Sequence, residues 1–238
     1  MRTPKLLLAL IALTFAGQAM AQTVDEIVDK HIAALGGKDK ISQVKTLIID
    51  RTMSVRGMDI PSKTTMKVGQ AVRSESTVMG NSMIQVLDGD KGWMIRPAMM
   101  GGTGEPEEMP ADMVKQMKGQ LDPFGPLVNY KEKGNTVVLV GHETIDKHDN
   151  FHLKVTTKDG QAVDQYIDAS TYLLTKSSMP MNGQTGEIVF SDYEAVDGIQ
   201  FASDMDMTAG AMGTMNFSTD KIKINPPVDD SVFKKPAK

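Results

Sequence analysis

The chain has no cysteine among its 238 residues. That excludes a disulfide framework, a thiol nucleophile, thiolate-held zinc or iron–sulfur, and a lipid anchor through an N-terminal cysteine. Aromatic residues are scarce at 5%, with a single tryptophan. Positive charge is in deficit as well: 26 Lys and Arg stand against 30 Asp and Glu, and no Lys/Arg-rich run occurs. A nucleic-acid partner is therefore not expected, because its electrostatic footprint is missing. No nucleophile elbow, phosphate loop, zinc-protease helix or Ca²⁺ loop can be read. An enzyme would have to assemble its site from scattered residues, so binding without a cofactor is the expectation and catalysis is not. Charged residues at 24% argue against wholesale disorder.

The long apolar run that does occur lies at the start. Arg2 and Lys5 precede the apolar stretch Leu6 to Ala16, and Ala19-Met20-Ala21 offers the small residues that a signal peptidase reads. Residues 1–21 are thus expected to be a leader cleaved before Gln22, delivering 22–238 to the periplasm as a monomer. The run is too short to span a bilayer comfortably. The remainder has the length of one ordinary domain.

Thr23-Val24-Asp25-Glu26 forms a capping box, and Val24, Ile27, Val28, Ile32 and Leu35 recur at helical spacing up to Gly36-Gly37. A second short helical turn follows around Asp39 to Val44. From Thr46 the period becomes two. Strands read at 46–56, 59–68, 71–79, 82–88 and 92–96, then at 136–141, 150–157, 162–168, 171–179, 186–193, 198–208 and 212–224. Their connections are so short that neighbours must pair antiparallel. Between the two runs, Pro97 to Pro110 reads as a Gly/Pro-rich loop, and Met109, Met113, Met117 and Leu121 form one stripe of a short helix. The expected fold is mainly β: one antiparallel sheet of about 11–12 strands, which at that size must bend, with short helices available to cover its concave face. Parity places Ile60, Met66 and Val68 on one face; Leu47, Ile49, Met53 and Val55 share theirs with a charged residue, Arg51.

Three segments carry a family likeness. Asp88-Gly89-Asp90-Lys91-Gly92-Trp93, followed by Pro97, closes one hairpin; Ala34-Leu35-Gly36-Gly37 ends the first helix; and Asn225-Pro226-Pro227-Val228-Asp229-Asp230-Ser231-Val232-Phe233 ends the chain. With these the sequence resembles the periplasmic lipoprotein-sorting family, LolA- and LolB-like. The resemblance implies a strongly curved antiparallel sheet, an incomplete barrel, closed by helices over an apolar cavity that takes the acyl chains of a lipoprotein or other lipid, with docking proteins at the inner and outer membranes. It also implies a lid, here residues 97–130. One departure is plain: where the carrier has a basic residue before a proline to work its lid, this chain has Val68 and Gly69.

Methionine is the compositional excess, at 19 residues. Met side chains are unbranched and polarisable, so a surface lined with them accepts chains of varied shape. The candidate cavity and lid residues are accordingly Ile60, Met66, Val68, Met99, Met100, Met109, Met113, Met117, Leu121, Met205, Met207 and Met215. Other readings stand beside this one. Met can simply fill a core; Met179-Pro180-Met181 and Met205-Asp206-Met207 could take Cu(I); and the same fold could serve as a sensor that binds a partner protein. His142, His148 and His152 surround one hairpin, where His142 and His152 could face each other across a metal, although turn and edge positions explain them more simply. Asp204 and Asp206 read as the wet side of a strand, and His31 as a packed helix residue.

Overall fold

Short turns and period-two alternation do produce one antiparallel sheet. The computed structural model describes residues 22–181, 184–210 and 213–236, so the expected leader at 1–21 lies outside the described residues. The first strands are β1 (Thr46–Val55), β2 (Met58–Lys67), β3 (Ala71–Val78), β4 (Asn81–Asp88), β5 (Lys91–Ile95) and β6 (Glu107–Glu108). The rest are β7 (Thr136–Ile145), β8 (His148–Thr156), β9 (Ala162–Asp168), β10 (Leu174–Met181), β11 (Gln184–Val196), β12 (Ile199–Ala209) and β13 (Thr214–Ile224). The 13 strands run β6-β5-β4-β3-β2-β1-β13-β12-β11-β10-β9-β8-β7. Two meanders are thus joined where β1 pairs with β13, and β6 and β7 are unjoined edges, so the sheet does not close.

Three short helices, α1 (Val24–Ala34), α2 (Lys38–Gln43) and α3 (Ala111–Met117), cover part of one face. The capping box of α1 forms as read: Thr23 Oγ1 accepts from the Glu26 amide at 3.2 Å, and the Glu26 carboxylate accepts from the Thr23 amide at 2.8 Å. The helix then lays Ile27, Val28 and Ile32 against Phe151, Leu153, Val155 and Ile167 of β8 and β9. Its end is fixed by a close approach. A Cβ on Gly36, which sits at φ +120°, would fall 2.3 Å from the Gly198 carbonyl oxygen, so only glycine fits here. Next to it, the Gln200 amide donates to the Leu35 carbonyl at 2.9 Å, tying α1 to the β11–β12 turn.

The opposite face is crossed by the tail. Phe233 is buried beside Trp93, Val86 and Ala71, and the Trp93 indole N–H donates to the Phe233 carbonyl at 2.8 Å. Asn225 turns the chain there. Its side-chain oxygen accepts from the Lys45 amide at 2.7 Å, and its amide nitrogen donates to the Gln43 carbonyl at 3.0 Å. The hairpin and tail segments of the family likeness are therefore packing partners of each other.

Two expectations need correction. The stretch from Pro97 to Pro110 is not a plain loop: Glu107–Glu108 adds β6, with Trp93 opposite Glu108 and Met94 opposite Glu107, and the Arg96 guanidinium holds Glu107 at 2.7 Å. Charge pairing fixes a segment whose glycines and prolines alone would not. The other concerns the histidines. A register shift between Leu139 and Gly141 sets His142 opposite Phe151 and Gly141 opposite His152, so the two imidazoles do not face each other. Each has its own carboxylate instead, His142 with Asp149 and His152 with Asp164, both at 2.8 Å.

Candidate functional site

Register shows which side chains share the helix-covered face. Leu47 and Ile49 of β1 belong to its core, so by alternation Arg51, Met53 and Val55 lie on the same face. Across the sheet, Phe190 pairs with Met205, Met205 with Phe217, Phe217 with Met53, and Met53 with Ile60. That is one apolar row spanning β11, β12, β13, β1 and β2. Beside it, Ile188 pairs with Met207 and Met207 with Met215. Ile60 is buried, while Met53, Ile188, Phe190, Met205, Met207, Met215 and Phe217 are only partly so. None of them belongs to the packed clusters under the helices.

A polar belt separates these rows from the covered part. Arg51 lies opposite Thr219 on one side and Ser62 on the other, Ser62 opposite Ser76, and Thr64 opposite Ser74 and then Gln85. The Arg51 Nε–H donates to Thr219 Oγ1 at 3.1 Å. Burial pulls the guanidinium below its usual pKa, an effect of lost hydration.

Below the belt lies the segment read as a lid. Met109 precedes α3, Met113 and Met117 sit on it, and Leu121 closes the following 3₁₀ turn. Met109 and Met117 are 6% and 3% exposed and join Met66 and Met94 in a core with Leu47, Val72 and Leu87; Met113, Leu121 and Val68 pack at its edge. The stripe thus fills the covered face. The strap is tethered at both ends by backbone bonds: the Met109 amide donates to the Gly92 carbonyl at 2.9 Å, and the Gly69 amide donates to the Leu121 carbonyl at 2.8 Å. A proline at position 69 could not make the second bond, so the departure at Val68-Gly69 has a physical consequence. Gly92 makes the seat possible, because a Cβ there would fall 2.9 Å from Met109 Sδ and 3.1 Å from Val114 Cγ2.

The twelve residues singled out from sequence therefore divide. Ile60, Met205, Met207 and Met215 meet in the open rows, and Met66, Val68, Met109, Met113, Met117 and Leu121 meet under the strap. Met99 and Met100 join neither; they are 55% and 46% exposed on a 3₁₀ turn at Ala98–Met100. Met53, Ile188, Phe190 and Phe217 were missed. Alternation marks each as sharing a face with its neighbours, but only the β1–β13 pairing brings them into one row. Two open hollows, of about 390 and 320 Å³, lie among Lys63, Arg73 and Glu75 beneath the tail, and among Asp50, Arg51, Lys63, Glu75 and Asp220; such charged linings do not suit acyl chains.

No family model and no curated protein matches the chain. Solved structures do. A LolA superfamily protein from Nitrosomonas europaea superposes with a TM-score of 0.60 at 14% identity, over 90% of this chain and 99% of the other. A putative outer membrane lipoprotein-sorting protein domain from Vibrio parahaemolyticus gives 0.56 at 16% identity, over 90% and 98%. The chain has a LolA-like fold. A DUF1329 family protein from Desulfovibrio piger is similar to it in the same way, with a TM-score of 0.59 at 14% identity over 89% and 97%. In this LolA-like sheet the helices cover the face that carries the Met-rich rows, and the tail covers the other.

Proposed function

We propose that the chain is a periplasmic binding protein or carrier that shelters the acyl chains of a lipoprotein or another lipid against the open rows of the helix-covered face. The observation that carries this reading is the row Phe190–Met205–Phe217–Met53–Ile60, apolar over five adjacent strands and left outside every packed cluster. A contiguous apolar row that is half-buried and packed into no core is a natural seat for an apolar ligand. Burial supplies the affinity, at about 0.8 kcal/mol per CH₂ before the cost of ordering the chain. The Met strap from 109 to 121 covers the region of Met66 and Met94 with the protein's own thioethers. Withdrawal of the strap would extend the apolar surface from the open rows into the region of Met66 and Met94. The likeness to a lipoprotein-sorting domain and the expected leader both favour a transport role outside the cytoplasm. No covalent chemistry is required.

Native mass spectrometry of the protein purified from the periplasm without detergent tests this directly. An added mass equal to a phospholipid, fatty acid or acylated peptide is expected, and it should disappear when Met205 and Phe217 are both replaced by Asp. A bare polypeptide that also fails to take up added dodecanoate or phospholipid would overturn the reading. Copper retained in place of lipid would shift it to the thioether chemistry of the paired methionines.

A further inference from the structure

Arg51 stands out once the covered face has been laid out. Its strand neighbours on that face are Leu47, Ile49 and Met53, and it is the cation between an apolar core and an apolar open row. A guanidinium stays charged in a protein and is costly to bury without an anion. Yet among the described residues no Asp or Glu oxygen lies within 4.0 Å of it. The nearby carboxylates are turned away. Asp50 lies on the other face by alternation, Glu75 is held by Arg73 at 2.5 Å, and Asp220 accepts from Thr52 Oγ1 at 3.1 Å. The sheet is also locally irregular here, because the β1–β13 register shifts between Asp50 and Arg51 and leaves Asp220 as the extra residue. Bulges re-aim side chains beside sites. The hydroxyls of Thr219, Ser62 and Ser76 lie on the strands beside the same position; Ser62 donates to the Arg51 carbonyl at 3.1 Å and Thr219 to the Ala202 carbonyl at 3.4 Å, so Ser76 is the one that keeps a donor for an anion.

We propose that Arg51 anchors the anionic headgroup of a single-chain amphiphile, a carboxylate whose hydrocarbon tail runs along the Met205–Phe217–Met53 row. This rests on the acyl-binding reading above and names its ligand class. The guanidinium fork matches a carboxylate in two parallel hydrogen bonds, which fixes the polar end while the row accepts tails without a fixed fit. The head is held at the belt and the tail points along the row toward Met207 and Met215, away from the strap. Cargo can therefore enter without first unseating α3.

The test compares dodecanoate with dodecanol, equal in chain length and different in head, by calorimetric titration of the mature protein below their aggregation limits. Wild type is expected to favour the acid by about tenfold or more, as a desolvated charge-assisted bond should. Arg51→Gln should bring the two to parity by weakening the acid alone, and Arg51→Lys should keep most of the preference. Equal wild-type affinities, or a preference that survives Arg51→Gln, would overturn the anchor while leaving the acyl row intact. Binding of neither ligand by folded wild type would overturn the acyl reading itself. Circular dichroism of Arg51→Gln guards the comparison; if that variant is unfolded, Arg51→Met decides, and a folded Arg51→Met that keeps the wild-type preference for the acid would overturn the anchor.

Discussion

The helix-covered face is packed twice, and the two packings differ in kind. Under α1 the buried residues are Ile27, Val28, Ile32, Leu35, Ile41, Leu127, Val128, Phe151, Leu153, Val155 and Ile167, without a methionine. Under α3 they include Met66, Met94, Met109 and Met117. Both clusters seal the same sheet. Branched and aromatic side chains interlock in one arrangement, whereas thioether chains repack at low cost. The covers are also fixed differently. α1 has a capping box, eleven residues and a glycine contact with the β11–β12 turn. α3 has seven residues and no side-chain cap, and its strap is tied by one backbone bond at either end and by the exposed Lys118–Asp90 ion pair at 2.6 Å. A cover that must stay and a cover able to move would be built in these two ways.

The largest expected effect lies on the fixed side. Leu153 is fully buried beneath α1. Leu153→Ala should cost about 2–5 kcal/mol, because the interlocked cluster cannot collapse into the space. Chemical denaturation should show this as a lower midpoint with unchanged slope, and α1 and α3 should unfold with the sheet in one transition. A loss below about 1 kcal/mol would show that this half repacks as freely as the methionine half. The contrast between the two covers would then fail.

A smaller and local effect is expected at Gly92. A methyl group there must displace Met109 and Val114, and overpacking of this kind costs about 1–3 kcal/mol. Because the strap is only lightly held, Gly92→Ala should release it rather than unfold the chain. Hydrogen exchange should quicken at the amides of Ala111–Met117 and stay unchanged in β8 and β9, and a dye that binds apolar surface should bind more strongly. Slowed or unaltered exchange at α3 would mean that the strap is as firmly set as α1.

Much of this division was legible in the sequence, and what was not has identifiable causes. The capping box, the glycine ends of α1 and nearly every strand follow from local chemistry, since turns and alternation act over a few residues. The Met109–Met113–Met117–Leu121 spacing marked the strap as one apolar stripe, although only Ala111–Met117 is α-helical and Lys118–Leu121 continues as a 3₁₀ turn. β6 escaped because two Glu residues have little strand character of their own and are placed by Trp93, Met94 and Arg96. The open row escaped for a topological reason. Met53 and Phe217 are 164 residues apart and meet only because the first and last long strands pair, a non-local fact that periodicity does not carry. Arg51 was visible as an oddity on an apolar face, but its lack of a carboxylate partner depends on where Asp50 and Asp220 turn.

The subtlest way to separate the two covers is pH. His31 sits on α1, 3% exposed, with Nδ1 2.7 Å from the Tyr172 carbonyl oxygen, so the neutral ring donates there. Burial lowers its pKa below the ordinary value of 6.5, and the Tyr172 bond only partly opposes this. An unfolded chain then binds this proton more readily than the folded one. The stability that neutral His31 lends is complete above about pH 6.5, falls as pH drops below that value, and levels off once pH passes the lower folded pKa. Among the described residues His31 is the one buried imidazole, and it packs under α1 and not in the methionine cluster. Between pH 7.5 and 5.5, exchange should therefore quicken at the amides of α1, after correction for the intrinsic pH effect, and change little at α3. His31→Gln should remove the pH dependence at α1 while keeping a donor for Tyr172. If α1 and α3 respond alike, the two covers are coupled as one unit, and the strap cannot open while α1 stays closed.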